Sequence, residues 1–402
     1  MLGSGKGFSF AGNALLGPKM RKGNDEHFVT VPQGSIELEG SDTSSDEVRI
    51  SSPFDTSKIR IEPKPAILDA LIKRIRNDEI DLQPEFQRNS DIWTDVVQSR
   101  LIESLILRIP IPAFYFDATN ENRWVVVDGL QRLGTVKKFV VDEKLTLVEM
   151  EFLTDFNGLQ FKELPRNFQR NIEEADISMY LIREGTPPDV KFNLFKRINT
   201  GGQPLSPQEI RHALNQGAIT KKLEELANSD EFKSATDNGV TPKRMDDREC
   251  VMRFFAFMMN DPENYDRDDF DKFLNDAMAK ANNMPTAELE QVSGLFLEAM
   301  RRARRIFDND AFRKRYSVDR GRSPINKALF ETWAVNLAKV SNDDAGLLFS
   351  RRLQLKEKFL KTMNGDNEFD SAITQGTGSK SKVRCRFKVI NRVINEVLHA
   401  GS

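Results

Sequence analysis

The hydrophobic pattern changes character once along this chain, and that change limits the folds open to it. Before about Leu205, short runs rich in β-branched and aromatic residues are interleaved with helical stretches; after it, apolar residues recur at three- and four-residue spacing almost to the end. In the first part, Ile67 to Ile75 predicts a helix. Asp91 to Leu107 predicts a longer amphipathic helix with Trp93, Val97, Leu101, Ile102 and Leu105 on one side. Arg108-Ile109-Pro110-Ile111-Pro112 ends it. Two strand-like runs follow, Ala113 to Phe116 and Arg123 to Val127, joined as a hairpin by the polar loop 117–122. Further strands are expected at Leu145 to Phe152 and Ile177 to Ile182, with a short helix from Pro165 to Ile172 between them. The class is α+β, without regular βαβ alternation.

The second part reads as helix over Pro207 to Asn215, Lys221 to Ala227, Arg248 to Met259, Phe270 to Lys280, Thr286 to Phe307, Pro324 to Val340, Leu347 to Thr362 and Lys382 to Leu398. Ser206-Pro207-Gln208-Glu209 marks a start, with a capping Ser, Pro at the first helical position and Glu three residues on; Ser323-Pro324 repeats its first two elements. There is no internal repeat or heptad run, which predicts a compact helical domain. Residues 1–52 are rich in Gly, Ser and acids and are expected to form a flexible tail. Gly3-Ser4-Gly5-Lys6 within it lacks the spacing and context of a phosphate-binding loop. The organisation expected is a tail over 1–52, an α/β domain over 53–205 and a helical domain over 206–402.

Composition excludes some classes. With 59 Lys and Arg against 61 Asp and Glu, the formal charge is -2, so contact with nucleic acid must come from local patches. Cys250 and Cys385 make neither a disulfide framework nor a thiolate metal site. His27, His212 and His399 are scattered, without the grouping of a histidine-centred nuclease. No stretch is long and apolar enough to span a bilayer and no secretory signal opens the chain, so a cytoplasmic protein with no membrane partner is expected.

The segment richest in chemistry is Trp124 to Val140. A strand, Trp124 to Val127, runs into Asp128-Gly129 and then a helix opening near Gln131. A helix start offers unpaired N–H groups, Gly129 permits close approach to the backbone, Arg132 adds donors suited to phosphate, and Asp128 could hold Mg²⁺ or orient the loop. An Asp-Gly turn between strand and helix is equally a common structural element. Gln87 and Arg88 sit together in the loop before the long helix, and Gln98 lies within that helix's apolar arc, where its amide needs a partner, structural or ligand. Asn199-Thr200-Gly201-Gly202 precedes the helix capped by Ser206, as an interdomain turn or a second phosphate contact. Two basic tracts, one including Arg301, Arg302, Arg304 and Arg305 and the other Lys382, Arg384 and Arg386, are candidates for nucleic-acid binding or for solvated, salt-bridged helix faces.

Taken in order, Gln83 to Arg88, Trp93, Gln98 to Ser104, Ile109 to Pro112, Asp128 to Leu133, Asn199 to Gly202, Leu205-Ser206 and Gln208 to Arg211 resemble the N-terminal domain of GmrSD-type restriction proteins. The resemblance implies a ParB/sulfiredoxin-like α/β domain followed by helices, from about Ile59 onward. It implies binding of a nucleoside triphosphate with Mg²⁺, and in some members hydrolysis that controls a DNA nuclease. Asp128, Gln131 and Arg132 match the family's Asp-Gly-Gln-Gln-Arg segment as catalytic candidates, with Asp128 the metal ligand; Leu130 stands where the family has Gln, which removes one polar contact. Gln87, Arg88, Gln98, Arg100, Gly129, Asn199, Thr200, Gly201 and Gly202 form the expected phosphate-binding set. The partners implied are DNA and a nuclease or other subunit of a restriction or anti-phage defence system, with homo-oligomerisation open. The alternative is a non-enzymatic module that senses DNA or its modification and recruits a separate nuclease.

Overall fold

The structure, a computed structural model, describes residues 36–37, 59–82, 93–198, 205–267, 269–317 and 321–400. Five strands form one mixed sheet: β1 (Ile61–Ile67), β2 (Ile80–Asp81), β3 (Phe114–Asp117), β4 (Trp124–Asp128) and β5 (Asp176–Ile182), in the order β1-β5-β3-β4-β2. The expected hairpin is β3–β4, antiparallel, and in its loop the Asp117 and Asn120 side chains accept from the backbone N–H groups of Thr119 and Asn122, both at 3.0 Å. β3 runs parallel to β5, β2 parallel to β4, and β1 antiparallel to β5. β1 went unforeseen because it contains Pro63 and Pro65; it lies at the sheet edge, where a missing N–H donor is tolerated.

Strand alternation decides which helices cover which face. Trp124 and Val126 join the core made by α1 (Leu68–Arg76), α2 (Asp95–Ile106), α3 (Leu130–Val136) and the loops around α4 (Arg166–Glu173). Val127 and Ile182 instead pack on Phe192 and Phe195 of α5 (Pro188–Ile198) and Ile210 of α6 (Pro207–Leu214). The capping box predicted at Ser206 is present: its hydroxyl accepts from Glu209 N–H at 3.1 Å and the Glu209 carboxylate from Ser206 N–H at 2.6 Å.

One expected strand is absent. Residues 145–152 are irregular, because side chains take their backbone donors: Ser99 Oγ accepts from Val148 N–H at 3.0 Å, and the Glu103 carboxylate from the N–H groups of Glu151 and Phe152 at 3.0 and 2.7 Å.

The remaining helices are α7 (Ala218–Ala227), α8 (Asp230–Thr236), α9 (Asp246–Met259), α10 (Phe270–Asn282), α11 (Thr286–Phe307), α12 (Lys327–Lys339), α13 (Asn342–Ser350), α14 (Arg352–Gly365), α15 (Asn367–Thr374) and α16 (Lys380–Leu398). Aromatic residues knit them together, with ring centroids of Phe254 and Phe296 at 5.2 Å, Phe257 and Phe387 at 4.8 Å, and Phe307 and Trp333 at 4.7 Å. α5, α8 and α15 lie where no helix is expected, and two boundaries differ from expectation for a visible reason. The Ser323-Pro324 pair does not start a helix: Ile325 bridges Ile36 and Arg313, and α12 begins after Asn326, whose side chain caps Leu329 N–H at 2.8 Å. The helix expected from Leu347 to Thr362 breaks at Arg351, whose guanidinium donates to the Val397 and Leu398 carbonyls at 2.7 and 2.9 Å and so closes the end of α16.

Within the segment read as a tail, Ile36 and Glu37 are described. The Glu37 N–H donates to Ile325 O at 2.8 Å and its carboxylate meets Lys314 at 2.7 Å. The glycine-rich run at Gly3 lies outside the described residues. Among the described residues, no helix is long and apolar enough to cross a membrane.

Candidate functional site

β4 delivers Asp128 to one end of the sheet, and the turn into α3 is made by Gly129 with φ +100° and ψ 11°. That conformation favours glycine, and a Cβ there would lie 2.4 Å from Cδ1 of Phe114. The space above Gly129 is therefore taken by the Phe114 ring, so close packing explains this glycine without a ligand. Gly129→Ala should cost about 1–3 kcal/mol of stability from the strained backbone, before the displacement of Phe114 is counted. Denaturant unfolding checks this, and a variant as stable as the parent would contradict the packing argument.

Arg132, 8 % exposed, is the strut of the turn. Its Nη2 donates to Asp128 Oδ2 at 2.7 Å and to Ala113 O at 3.2 Å, its Nη1 donates to Pro112 O, and its Cζ lies 4.7 Å from the Phe114 ring centroid. One guanidinium thus ties the end of β4, the first turn of α3 and the entry to β3. Burial pushes the Asp128 carboxyl above the usual carboxylate value, against the opposing pull of Arg132 and the Gly129 N–H, and burial draws Arg132 down. A cation at Asp128 would compete with this guanidinium, and among the described residues no group of three His, Cys, Asp or Glu could hold a metal. Leu130, where the motif departs from Gln, is 7 % exposed and packs in the apolar core.

Two carboxamides, one on α2 and one on α3, are not satisfied. Gln98, 4 % exposed on α2, donates from Nε2 to Trp93 O at 2.9 Å, but its Oε1 is buried without a partner. Oε1 of Gln131, in the first turn of α3, is likewise buried and unpartnered. α2 packs against α3, and β2 runs parallel to β4 with Asp81 opposite Val125. Arg100 is exposed on α2. Gln87 and Arg88, and Asn199, Thr200, Gly201 and Gly202, lie outside the described residues.

The opposite face of the sheet links to the helical half. Lys191 of α5 pairs with Asp117 at 2.9 Å, both largely buried, and Lys196 of α5 and Arg211 of α6 meet Asp271 of α10 at 3.2 and 2.9 Å. Arg211 is 1 % exposed. Arg211 carries no signal of such burial in the sequence, since Gln208 and Asn215 are among its neighbours at helical spacing, whereas Glu331 does, set among Ala328, Ala334 and Val335.

The basic tracts divide. Arg302 is buried, its guanidinium taken by the carbonyls of Leu337 and Val340 at 2.7 Å each, and Arg386 is fully buried against Glu331; neither belongs to a solvent-facing basic tract. Among the rest, Arg301 pairs with Glu231 at 2.9 Å, Arg304 bonds Asn309, Arg305 lies over the Phe349 ring at 4.5 Å, Lys382 donates to Gln375 O, and Arg384 donates to Tyr265 O at 2.9 Å. A cavity of about 420 Å³ in the helical half, lined by Pro262, Asn336, Phe387 and Asn395 among others, includes none of the residues at the Asp128 turn.

Residues 68–215 match the family described as GmrSD restriction endonuclease, N-terminal domain. This segment is a GmrSD-type N-terminal domain. The match opens at the first residue of α1 and closes just after α6, so α5 and α6, with the residues that contact α10, belong to the GmrSD-type domain, while α7 to α16 lie beyond it. Comparison with curated proteins and with solved structures gave no match.

Proposed function

We propose that this chain is a subunit of a DNA restriction or anti-phage defence system whose GmrSD-type domain binds a nucleoside triphosphate at the Asp128 end of the sheet and passes that state to a DNA-acting partner. The family match supports the restriction context. The observation that carries ligand binding is the pair of buried, unpartnered acceptors, Oε1 of Gln98 and Oε1 of Gln131, on two packed helices. A buried acceptor without a donor costs about 1–3 kcal/mol, and a ligand bringing N–H or O–H groups recovers it. A nucleotide has such donors in its ribose hydroxyls and its base nitrogens.

In this reading Gln98 and Gln131 orient the ligand, and Arg132 holds Asp128 and the β4–α3 turn in place instead of neutralising phosphate. Mg²⁺ enters only as the ion a triphosphate carries. Transmission to the helical half runs through α5 and α6 by way of Asp271.

The reading makes a prediction with opposite signs in two assays. Gln131→Leu removes a buried orphan oxygen and should leave the unliganded protein as stable or about 1 kcal/mol more stable, whereas Gln98→Leu also removes the donor to Trp93 O and should come out near neutral. Each should nevertheless weaken nucleotide affinity about tenfold or more in calorimetry with ATP, GTP, CTP and UTP in Mg²⁺ buffer. Unchanged affinity in both variants, or no binding of any of the four by the parent, would reject the assignment.

A further inference from the structure

A buried carboxylate in the GmrSD-type domain does a task outside the Asp128 turn. Glu103 of α2 is 3 % exposed, and its two oxygens accept from three consecutive backbone donors: Glu151 N–H at 3.0 Å and those of Phe152 and Leu153 at 2.7 Å each. Burial works to raise this carboxyl, yet the three N–H groups and Arg100 outweigh it and hold Glu103 below the usual glutamate value. One turn earlier on α2, Ser99 Oγ takes Val148 N–H at 3.0 Å, and Asn157 Oδ1 takes Met150 N–H at 3.0 Å. Of the six N–H groups from Val148 to Leu153, five are therefore fixed by side chains from outside that stretch. The sixth residue, Glu149, is held at φ +48°, which a side-chain-bearing residue adopts at a cost.

A loop so firmly held would ordinarily bury what it carries. Met150 does turn inward, at 4 % exposed, but Phe152 is 68 % exposed. Leu107 and Ile109, at the end of α2 just past Glu103, are 40 % and 49 % exposed, and the side chain of Arg108 between them donates to Asn171 at 3.1 Å. Of the six large hydrophobic residues exposed among the described residues, four are on α2, just after it, or on the loop pinned to it. Exposed apolar surface concentrated on a rigid support is what a docking site requires, because the partner then orders little on binding.

Charge narrows the occupant. Glu149, Glu151 and Asp155 flank Phe152, all three are exposed, and none makes an ion pair among the described residues. An acidic rim repels nucleic acid and anionic lipid surfaces. It suits a protein whose apolar pocket is edged by lysine and arginine. We propose that residues 148–153 form a docking loop that inserts Phe152 into such a pocket on another protein. The proposal is independent of nucleotide binding.

The test places a photoreactive benzoylphenylalanine at position 152 of the full chain in its native cells, with the same probe at Leu353, 72 % exposed on α14, as control. The expected result is one discrete adduct from position 152, absent from position 353, joined to a different protein at an apolar segment flanked by basic residues. Its yield should fall at least about tenfold when Glu149, Glu151 and Asp155 are all changed to Lys, with the thermal midpoint unchanged. Adducts alike from both positions, a yield insensitive to charge reversal, or an adduct to a second copy of this chain would each overturn the proposal.

Discussion

Arg386→Met should lower the unfolding free energy by about 3–5 kcal/mol, because it leaves a carboxylate buried without its main partner. Arg386 and Glu331 are both 0 % exposed. The guanidinium donates to Glu331 Oε1 from Nε at 2.9 Å and from Nη2, and Nη1 donates to the carbonyls of Ala372 and Thr377. The other Glu331 oxygen accepts from Arg253 at 3.3 Å; Arg253 holds Glu249 at 2.7 Å, Glu249 holds Lys327 at 2.9 Å, and Lys327 holds Asp246 at 2.8 Å. Three bases alternate with three acids, so the chain is neutral as a whole and any single deletion unbalances it. Adding Glu331→Gln to Arg386→Met should recover part of the loss, since the orphan charge goes with it. Denaturant unfolding of the parent, both single variants and the double variant reads the coupling, and a loss under about 1 kcal/mol for Arg386→Met would show that the core tolerates the charge.

The same network sets an acid limit. Burial acts to raise Glu249, but Lys327, Arg253 and Arg211 outweigh it and hold the carboxyl far below its ordinary value of 4.5. A carboxyl whose folded value is depressed stabilises fully above the unfolded value and loses that contribution as pH falls through the folded one. The stability contributed by Glu249 should therefore hold down to the usual glutamate range and decline below it. Arg211 comes from α6, so the charge balance of the helical core also reaches into the GmrSD-type domain.

What could be read from the sequence followed the strength of local signals. The β3–β4 hairpin, β5, the capping box at Ser206 and α11 were legible because periodicity and turn chemistry are encoded within a few residues. The 145–152 loop was misread as a strand because its pattern is extended and apolar while the groups that hold it, Ser99 and Glu103, lie some fifty residues earlier. β1 was hidden by its prolines, and the break at Arg351 by continuous helical periodicity. At the site, the motif marked the right turn but not the division of labour within it. Residue type suggested that Arg132 faces a phosphate, whereas only the fold reveals three acceptors from its own chain around the guanidinium. Burial of Gln98 was foreseen from its place in the apolar arc; that its oxygen has no partner was not.

That division of labour makes Arg132→Met the decisive variant at the turn. If the guanidinium is a strut, the change should cost about 3 kcal/mol in stability at neutral pH, since it strands the Asp128 carboxylate and leaves the Pro112 and Ala113 carbonyls without their donor. The loss should depend on pH with a definite sign. Burial already holds the Asp128 carboxyl above its ordinary 3.8, and removing Arg132 takes away the opposing positive charge, so the value climbs further. A carboxyl whose folded value is raised favours the folded state below that value, where it is protonated, and disfavours it as pH rises through it. The deficit of Arg132→Met relative to the parent should thus shrink on acidification toward pH 4 and widen toward pH 8. Arg132→Lys should rescue little, because one ammonium cannot reproduce a planar fork that meets a carboxylate and two carbonyls at once. A phosphate-binding role for Arg132 makes the contrary forecast: normal stability at every pH, with nucleotide affinity alone lost. Unfolding free energies across that pH range, set beside calorimetry of the same variant, separate the two.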